Sequence, residues 1–288
     1  MKKLGNVGVG GKNPVRIMGI LNTSPESFYK KSIVTTKQSI SNAVKEMELN
    51  GADFIDVGGM STAPYLSTLV SEKIEFNRIS NAVNIIQKVS NLPISVDTCR
   101  ANVAKCTLEL GVDIINDISG LKYDDKMIDV VSNYNPSLII CAFSPKLVSG
   151  NHITQTKNLL MKSLDILKKI KFSNNKIILD PSIGFFRRSG NGPFFTKIRS
   201  NFVERDIQII QNLNEIKQNY PILVSVSNKS FIGELLRKED PSDRLFGSIA
   251  AEVVSVMNGA DIIRTHNVLE TKDAILLASK LSKRNKGL

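Results

Sequence analysis

Short apolar runs rich in β-branched residues recur along this chain, and each is followed by a longer stretch in which apolar positions return every three or four residues. The runs fall at 15–22, 54–59, 93–98, 114–119, 137–144, 176–182, 221–227 and 260–266. Runs such as Ile177-Ile178-Leu179 and Ile222-Leu223-Val224 are apolar throughout instead of alternating, as strands buried on both faces of a parallel sheet require. The intervening stretches, among them 36–50, 71–89, 100–110 and 244–258, carry helical periodicity, so the chain predicts eight repeated βα units.

Eight such units fit a single (β/α)8 TIM barrel of about 250 residues, and exceed the five or six strands of a doubly wound sheet. Residues 1–288 show no internal linker or break in composition. A single domain is therefore expected, with 1–14 as an N-terminal cap that plugs the barrel floor and 283–288 as a basic tail. Gly51-Ala52-Asp53, Gly111-Val112-Asp113 and Gly259-Ala260-Asp261 sit where a helix should stop and a strand begin, the place for a left-handed glycine cap.

In such a barrel the chemistry is built at the C-terminal ends of the strands. The polar residues there are Asn22, Ser61, Thr62, Asp97, Thr98, Asn116, Asp117, Asp180, Ser227, Asn228, Lys229, Ser230, Arg264 and His266. Any one of the Asp, Asn and Ser residues could instead cap the following helix. Asp97, Asn116, Asp180, Lys229 and Arg264 come from five different strands and would meet at one mouth, where charged groups need partners or a ligand. Mutual salt bridges would satisfy some of them and would leave Asn22, Thr62 and His266 unexplained.

Charge narrows the ligand only a little. The 288 residues carry 38 Lys and Arg against 27 Asp and Glu, a net +11, which suits nucleic acid, an anionic membrane or a phosphorylated small molecule. With no Trp and 6% aromatics, there is little material for base-stacking platforms, and no run approaches the roughly 18 apolar residues of a membrane span. Neither nucleic acid nor membrane is expected. The three cysteines, Cys99, Cys106 and Cys141, lack CxxC spacing; Cys99 and Cys106, placed on one helix, would stand about 10 Å apart and could not bridge. Together with the absence of an apolar signal region after Met1, this predicts a cytoplasmic protein. His152 and His266 lack zinc-ligand spacing, and His152 is expected in a solvated loop. Gly59-Met60-Ser61-Thr62-Ala63 lacks the closing glycine of a hydrolase elbow. The glycine-rich start at 5–11 precedes a strand and does not follow one, unlike a phosphate loop.

Beyond these readings, the ordered motifs resemble the dihydropteroate synthase family over about residues 15–270. They are Met18-Gly19-Ile20-Leu21-Asn22 with Ser24-Pro25-Glu26-Ser27-Phe28, Ile55-Asp56-Val57-Gly58-Gly59 with Ser61-Thr62, and Ser95-Val96-Asp97-Thr98. Ile115-Asn116-Asp117-Ile118-Ser119-Gly120, Leu179-Asp180-Pro181, Lys229-Ser230-Phe231-Ile232-Gly233, Arg244 with Gly247-Ser248, and Arg264-Thr265-His266-Asn267-Val268 follow in order. The resemblance implies a transferase that joins 6-hydroxymethyl-7,8-dihydropterin diphosphate to 4-aminobenzoate, releasing diphosphate with the help of Mg²⁺. It implies that Asp97, Asn116, Asp180 and Lys229 hold the pterin, that Thr62, Arg264 and His266 cradle the diphosphate, and that Asn22 holds the metal. It also places Pro64, Phe185 and Ser230 at the arylamine, and catalysis with Lys229, Arg264 and His266. In a dissociative reaction Mg²⁺, Arg264 and His266 would neutralise the leaving group.

Four departures from the family pattern bear on the amine. The first loop reads Tyr29-Lys30-Lys31-Ser32 in place of Ser-Asp-Gly-Gly. Ala63 stands where an arginine usually separates Thr62 from Pro64, Asn228 replaces an arginine before Lys229, and Asp180-Pro181-Ser182 replaces Asp-Pro-Gly. A phosphorylated ribosyl arylamine, as for a methanopterin-like coenzyme, is the alternative substrate; a pterin-binding methyltransferase and an inactive basic barrel that binds RNA or protein are the other readings. The apolar faces at 250–257 and 274–281 could form a homodimer contact or simply cover the barrel. Lys30, Lys31, Arg187, Arg188, Lys197, Arg199, Lys229 and Arg264 all fall on predicted loops or strand ends at the catalytic face.

Overall fold

The structure, a computed structural model, describes residues 1–26, 33–65 and 69–281. An antiparallel hairpin, β1 (Lys3–Leu4) and β2 (Val7–Gly8), leads into β3 (Arg16–Asn22), β4 (Phe54–Gly58), β5 (Ile94–Asp97), β6 (Ile114–Asp117), β7 (Ser137–Cys141) and β8 (Ile177–Asp180). A small parallel pair, β9 (Phe186–Arg187) and β10 (Thr196–Lys197), comes next, and β11 (Leu223–Val224) and β12 (Ile262–Thr265) complete the set. The helices between them are α1 (Lys37–Leu49), α2 (Glu72–Val89), α3 (Ala101–Glu109), α4 (Met127–Tyr134), α5 (His152–Lys169), α6 (Phe202–Gln211), α7 (Leu213–Lys217), α8 (Ser230–Leu236), α9 (Leu245–Met257) and α10 (Val268–Leu281).

Eight strands pair in parallel in the order β11-β12-β3-β4-β5-β6-β7-β8, and a bridge between Leu179 and Ile222 joins the two ends. This is the (β/α)8 barrel that the apolar runs predict. Caps fix where the helices start: Thr36 and Ser39 form a reciprocal capping box on α1, and Ser71 and Asn151 accept backbone N–H groups at the starts of α2 and α5, each worth about 1 kcal/mol. Gly51, Gly111 and Gly259 adopt φ of +89°, +88° and +110°, the left-handed turn that lets each helix reverse into a strand.

Alternation along the strands divides the apolar residues into two sets. One set, including Ile55, Val57, Val96, Ile115, Leu138, Ile140, Leu179, Val224 and Ile263, packs under the helices. The other, Met18, Phe54, Ile114, Ile139, Ile178, Leu223 and Ile262, fills the barrel floor, where Leu4 and Val9 of the N-terminal hairpin pack against it. The glycine-rich start therefore does its work as a stopper, and burying each of these two side chains is worth about 2 kcal/mol.

Some expectations are corrected in detail. The strand expected at 221–227 is regular only over Leu223–Val224, with Ile222 adding a single bridge, and the one at 137–144 ends at Cys141. Cys99 precedes α3 and does not share its helix with Cys106; it is buried beside Cys141, Met60 and Ile118. His152 opens α5, half-buried. Tyr29, Lys30, Lys31, Ser32 and the basic tail lie outside the described residues. No helix among the described residues is long and apolar enough to cross a membrane.

Candidate active site

Two residues above the floor along each strand stand Ile20, Asp56, Asp97, Asn116, Cys141, Asp180, Ser225 and Arg264. Successive side chains on a strand alternate sides, so these share the inward face with the floor. The next inward step brings Asn22, Gly58, Ser227 and His266 to the rim. Two adjoining recesses result, sharing Asp97, Phe185, Ser225 and Arg264: an inner one with Asn116, Cys141 and Asp180, and an outer one with Asn22, Thr62, Pro64, Lys229, Ser230 and His266.

At the junction one guanidinium meets two carboxylates. Arg264 Nε donates to Asp56 Oδ2 at 2.6 Å and its Nη2 to Asp97 Oδ2 at 3.1 Å, while Asn116 Nδ2 donates to the same Asp56 oxygen at 3.3 Å. Asp56 is fully buried, and its Oδ1 has no partner among the described residues. Against the cost of burial, Asp56 and Asp97 hold the Arg264 pKa above its usual value. Burial, reinforced by Asp56, pushes Asp97 up to about 7 even with Arg264 beside it. Burial also raises Asp180, whose Oδ1 accepts the Ser182 N–H at 2.6 Å.

Lys229 Nζ lies 4.2 Å from the centroid of the Phe185 ring. Burial, with Arg264 nearby, brings its pKa down to about 8, so it is still largely a cation at neutral pH. Gly184 makes room for this lysine: at φ +87°, a Cβ there would come 2.8 Å from Lys229 Cδ. His266 Nδ1 is 3.0 Å from Ser227 Oγ, and burial together with Arg264 and Lys229 takes its pKa down to about 3. Beside these two cations the imidazole is neutral and acts through hydrogen bonds.

Every residue named above for pterin, diphosphate, arylamine or metal lines one of the two recesses. Three other strand-end residues, Thr98, Asp117 and Asn228, do not reach them. Thr98 faces outward and donates to Glu75 at 2.7 Å, where Glu75 also pairs with Arg100. Asp117 accepts the Ser119 and Leu121 N–H groups, anchoring its own turn. Asn228, at φ +58°, receives Ser248 Oγ at 3.2 Å, away from the mouth. Ser182 likewise occupies a left-handed position, φ +57°, which explains why glycine suits that turn.

Two residues of the mouth were given no role by the sequence reading. Asp56 sits inside an apolar run, and its signal was parity: it shares the inward face with Phe54 and Gly58. Arg187 lines the outer recess from β9, a strand whose two residues carry no periodicity to read.

For a metal, no group of three or more His, Cys, Asp or Glu that could hold one exists among the described residues. The outer recess offers instead the amide oxygen of Asn22, facing Gly58, where the missing side chain leaves space beside Oδ1. This suits Mg²⁺ arriving on a diphosphate, since Mg²⁺ keeps several waters and needs few protein ligands.

The profile of the pterin binding enzyme family matches residues 18–266. The chain is 34% identical over 270 residues to the dihydropteroate synthase of Clostridium beijerinckii, covering 93% of this chain and 94% of that protein, and 34% identical over 257 residues to the Bacillus subtilis dihydropteroate synthase, covering 89% and 85%. Among solved structures, the Coxiella burnetii dihydropteroate synthase in complex with pteroic acid superimposes with a TM-score of 0.80 at 34% identity, covering 93% of this chain and 92% of that one. Barrel, inward polar ring and relatives agree, and the chain belongs to the dihydropteroate synthase family of pterin binding enzymes.

Proposed function

We propose that the chain condenses 6-hydroxymethyl-7,8-dihydropterin diphosphate with an arylamine, 4-aminobenzoate, to give 7,8-dihydropteroate and diphosphate. The observation that carries this reading is the pairing of an inner recess rich in buried acceptors with an outer recess rich in cations, joined at Arg264. Asp180 would take the paired ring N–H and amino donors of the pterin in a fork-like contact, while Asn116 both donates and accepts on the adjoining edge. Asp97, near its midpoint at neutral pH, can face the ring protonated or charged.

The diphosphate would lie in the outer recess against Thr62, Arg264 and the neutral His266. The C–O bond breaks with its electron pair leaving on the diphosphate, the amine nitrogen forms the new C–N bond, and the amine gives up a proton. Little covalent help is needed, and the residues act by placing charge. Arg264 is aligned by Asp56 and Asp97 before substrate arrives, so it need not reorganise as negative charge develops. A Mg²⁺ held by Asn22 and the diphosphate would supply Lewis-acid neutralisation of the leaving oxygens. The exposed apolar side chains of Val254, Met257 and Leu277 on α9 and α10 would suit a homodimer, which light scattering at twice the chain mass would reveal.

The test is diphosphate release by the purified protein given pterin diphosphate, 4-aminobenzoate and Mg²⁺. Release that requires both substrates and stops on chelation supports the reading; methyl transfer to a corrinoid protein, or no release with any arylamine, would overturn it.

A further inference from the structure

Three cations line the outer recess: Arg264, Lys229 and Arg187. The first is clamped by Asp56 and Asp97 and the second reaches over Phe185, whereas Arg187 has had no part so far. It enters from β9, outside the barrel, and is only 8% exposed. Its Cζ lies 3.9 Å from the centroid of the Phe202 ring, one Nη donates to the Phe186 carbonyl at 3.0 Å, and the other donates to Ser230 Oγ. The guanidinium is thus held in one orientation at the wall it shares with Ser230.

Its charge is poorly matched. Among the described residues the carboxylate within 4 Å is that of Asp206, at 3.9 Å, and Asp206 is already bonded at 3.0 Å to Arg205, itself fully buried. Two buried guanidiniums share one buried carboxylate. A buried cation without its own counter-ion is costly, and an anion in the recess would relieve that cost. The positions where the family pattern usually has loop arginines do not supply a competing cation: Ala63 is apolar, and Asn228 is turned toward Ser248.

We propose that Arg187, with Ser230 beside it, receives the carboxylate of the arylamine and makes this site prefer an acidic amine to a neutral one. The assignment rests on the synthase reading above. A planar guanidinium already oriented by a hydroxyl matches a planar carboxylate better than a lysine would. Phe185, which lines both recesses, would give the arylamine ring a flat neighbour with its amine toward the pterin.

Steady-state diphosphate release tests it, with KM measured for 4-aminobenzoate and for neutral 4-aminobenzamide at saturating pterin diphosphate, in the parent protein, Arg187→Met and Arg187→Lys. Arg187→Met should raise the KM for the acid at least tenfold, a change of about 1.4 kcal/mol, while the KM values for the amide and for pterin diphosphate stay within about a factor of two. Arg187→Lys should fall between, with its loss confined to the acid. An acid-over-amide preference that survives in Arg187→Met overturns the assignment, and so does a parallel rise for acid, amide and pterin, which would mark a merely structural residue. Should Arg187→Met fail to fold by thermal melting, Arg187→Lys decides alone by the same ratio. A parent protein that releases no diphosphate with either amine sinks the synthase reading itself and this assignment with it.

Discussion

Glu252 is a buried carboxyl with no cation paired to it among the described residues. It sits on α9 with no exposure; Oε2 accepts from Thr271 Oγ1 at 2.7 Å, and Oε1 has no hydrogen-bond partner among the described residues. Thr271 Oγ1 lies 3.0 Å from Thr265 Oγ1, which in turn accepts the Asn267 N–H at 3.1 Å, so the carboxyl is tied to the turn that carries Arg264 and His266. Burial lifts its pKa from 4.5 to about 7 against the pull of the two threonines, with a smaller push from Glu270. A carboxyl whose folded pKa is raised binds its proton more tightly in the native than in the unfolded chain, so stability falls as pH climbs from about 4.5 through about 7 and is level beyond. That span corresponds to about 3 kcal/mol lost by pH 8. Glu252→Gln keeps the shape and abolishes the titration. Urea unfolding of parent and variant from pH 4 to pH 8 should show the variant gaining on the parent as pH rises, by up to about 3 kcal/mol at pH 8, with little or no advantage at pH 4. Every other titrating group is common to both proteins and cancels in the difference. A parent-to-variant difference that stays constant across the range would refute the reasoning.

Three further outcomes are expected. Asp180→Ala removes the proposed acceptor of the pterin donors and should cost on the order of 2–4 kcal/mol in pterin affinity by calorimetry; near-normal affinity would remove Asp180 from the pterin site. Asp56→Asn removes the negative charge from Arg264's 2.6 Å partner and should slow diphosphate release by about 1.5–3 kcal/mol in activation free energy with a smaller change in pterin KM, so an unaltered kcat would count against the clamp. Because His266 is neutral from about pH 3 upward, kcat/KM should show no histidine limb between pH 6 and 7, and a limb there that disappears in His266→Asn would contradict it.

Much of the barrel was legible because it is written locally. Apolar runs bounded by glycine turns mark strands buried on both faces, and their order around the barrel follows chain order for β3 to β8. The strand-end reading singled out Asp97, Asn116, Asp180, Lys229, Arg264 and His266 for the same reason: each lies at or shortly past the end of an apolar run. It could not separate Thr98 and Asp117 from them, since a residue one step off in parity faces the helices instead of the mouth, and a short strand with ragged ends hides that parity. It also counted charge by residue type. Burial with Arg264 and Lys229 nearby disfavours charge on His266, and Arg264 is already shared by two carboxylates; burial and neighbours set protonation, and neighbours are brought by the fold.

The amino-acid sequence by itself determined the eight βα units, the stopper at the floor and the polar ring at the strand ends, since these depend on periodicity and on turns a few residues long. Closure of the barrel decided what meets across it. Arg264 is 208 residues from Asp56 and 167 from Asp97, and Arg187 is 43 from Ser230. No local pattern encodes such pairings: the first two exist because parallel barrel strands carry their inward side chains to a common centre, where two carboxylates find one arginine, and the third because the fold sets β9 beside the start of α8, with Arg187 facing the open recess.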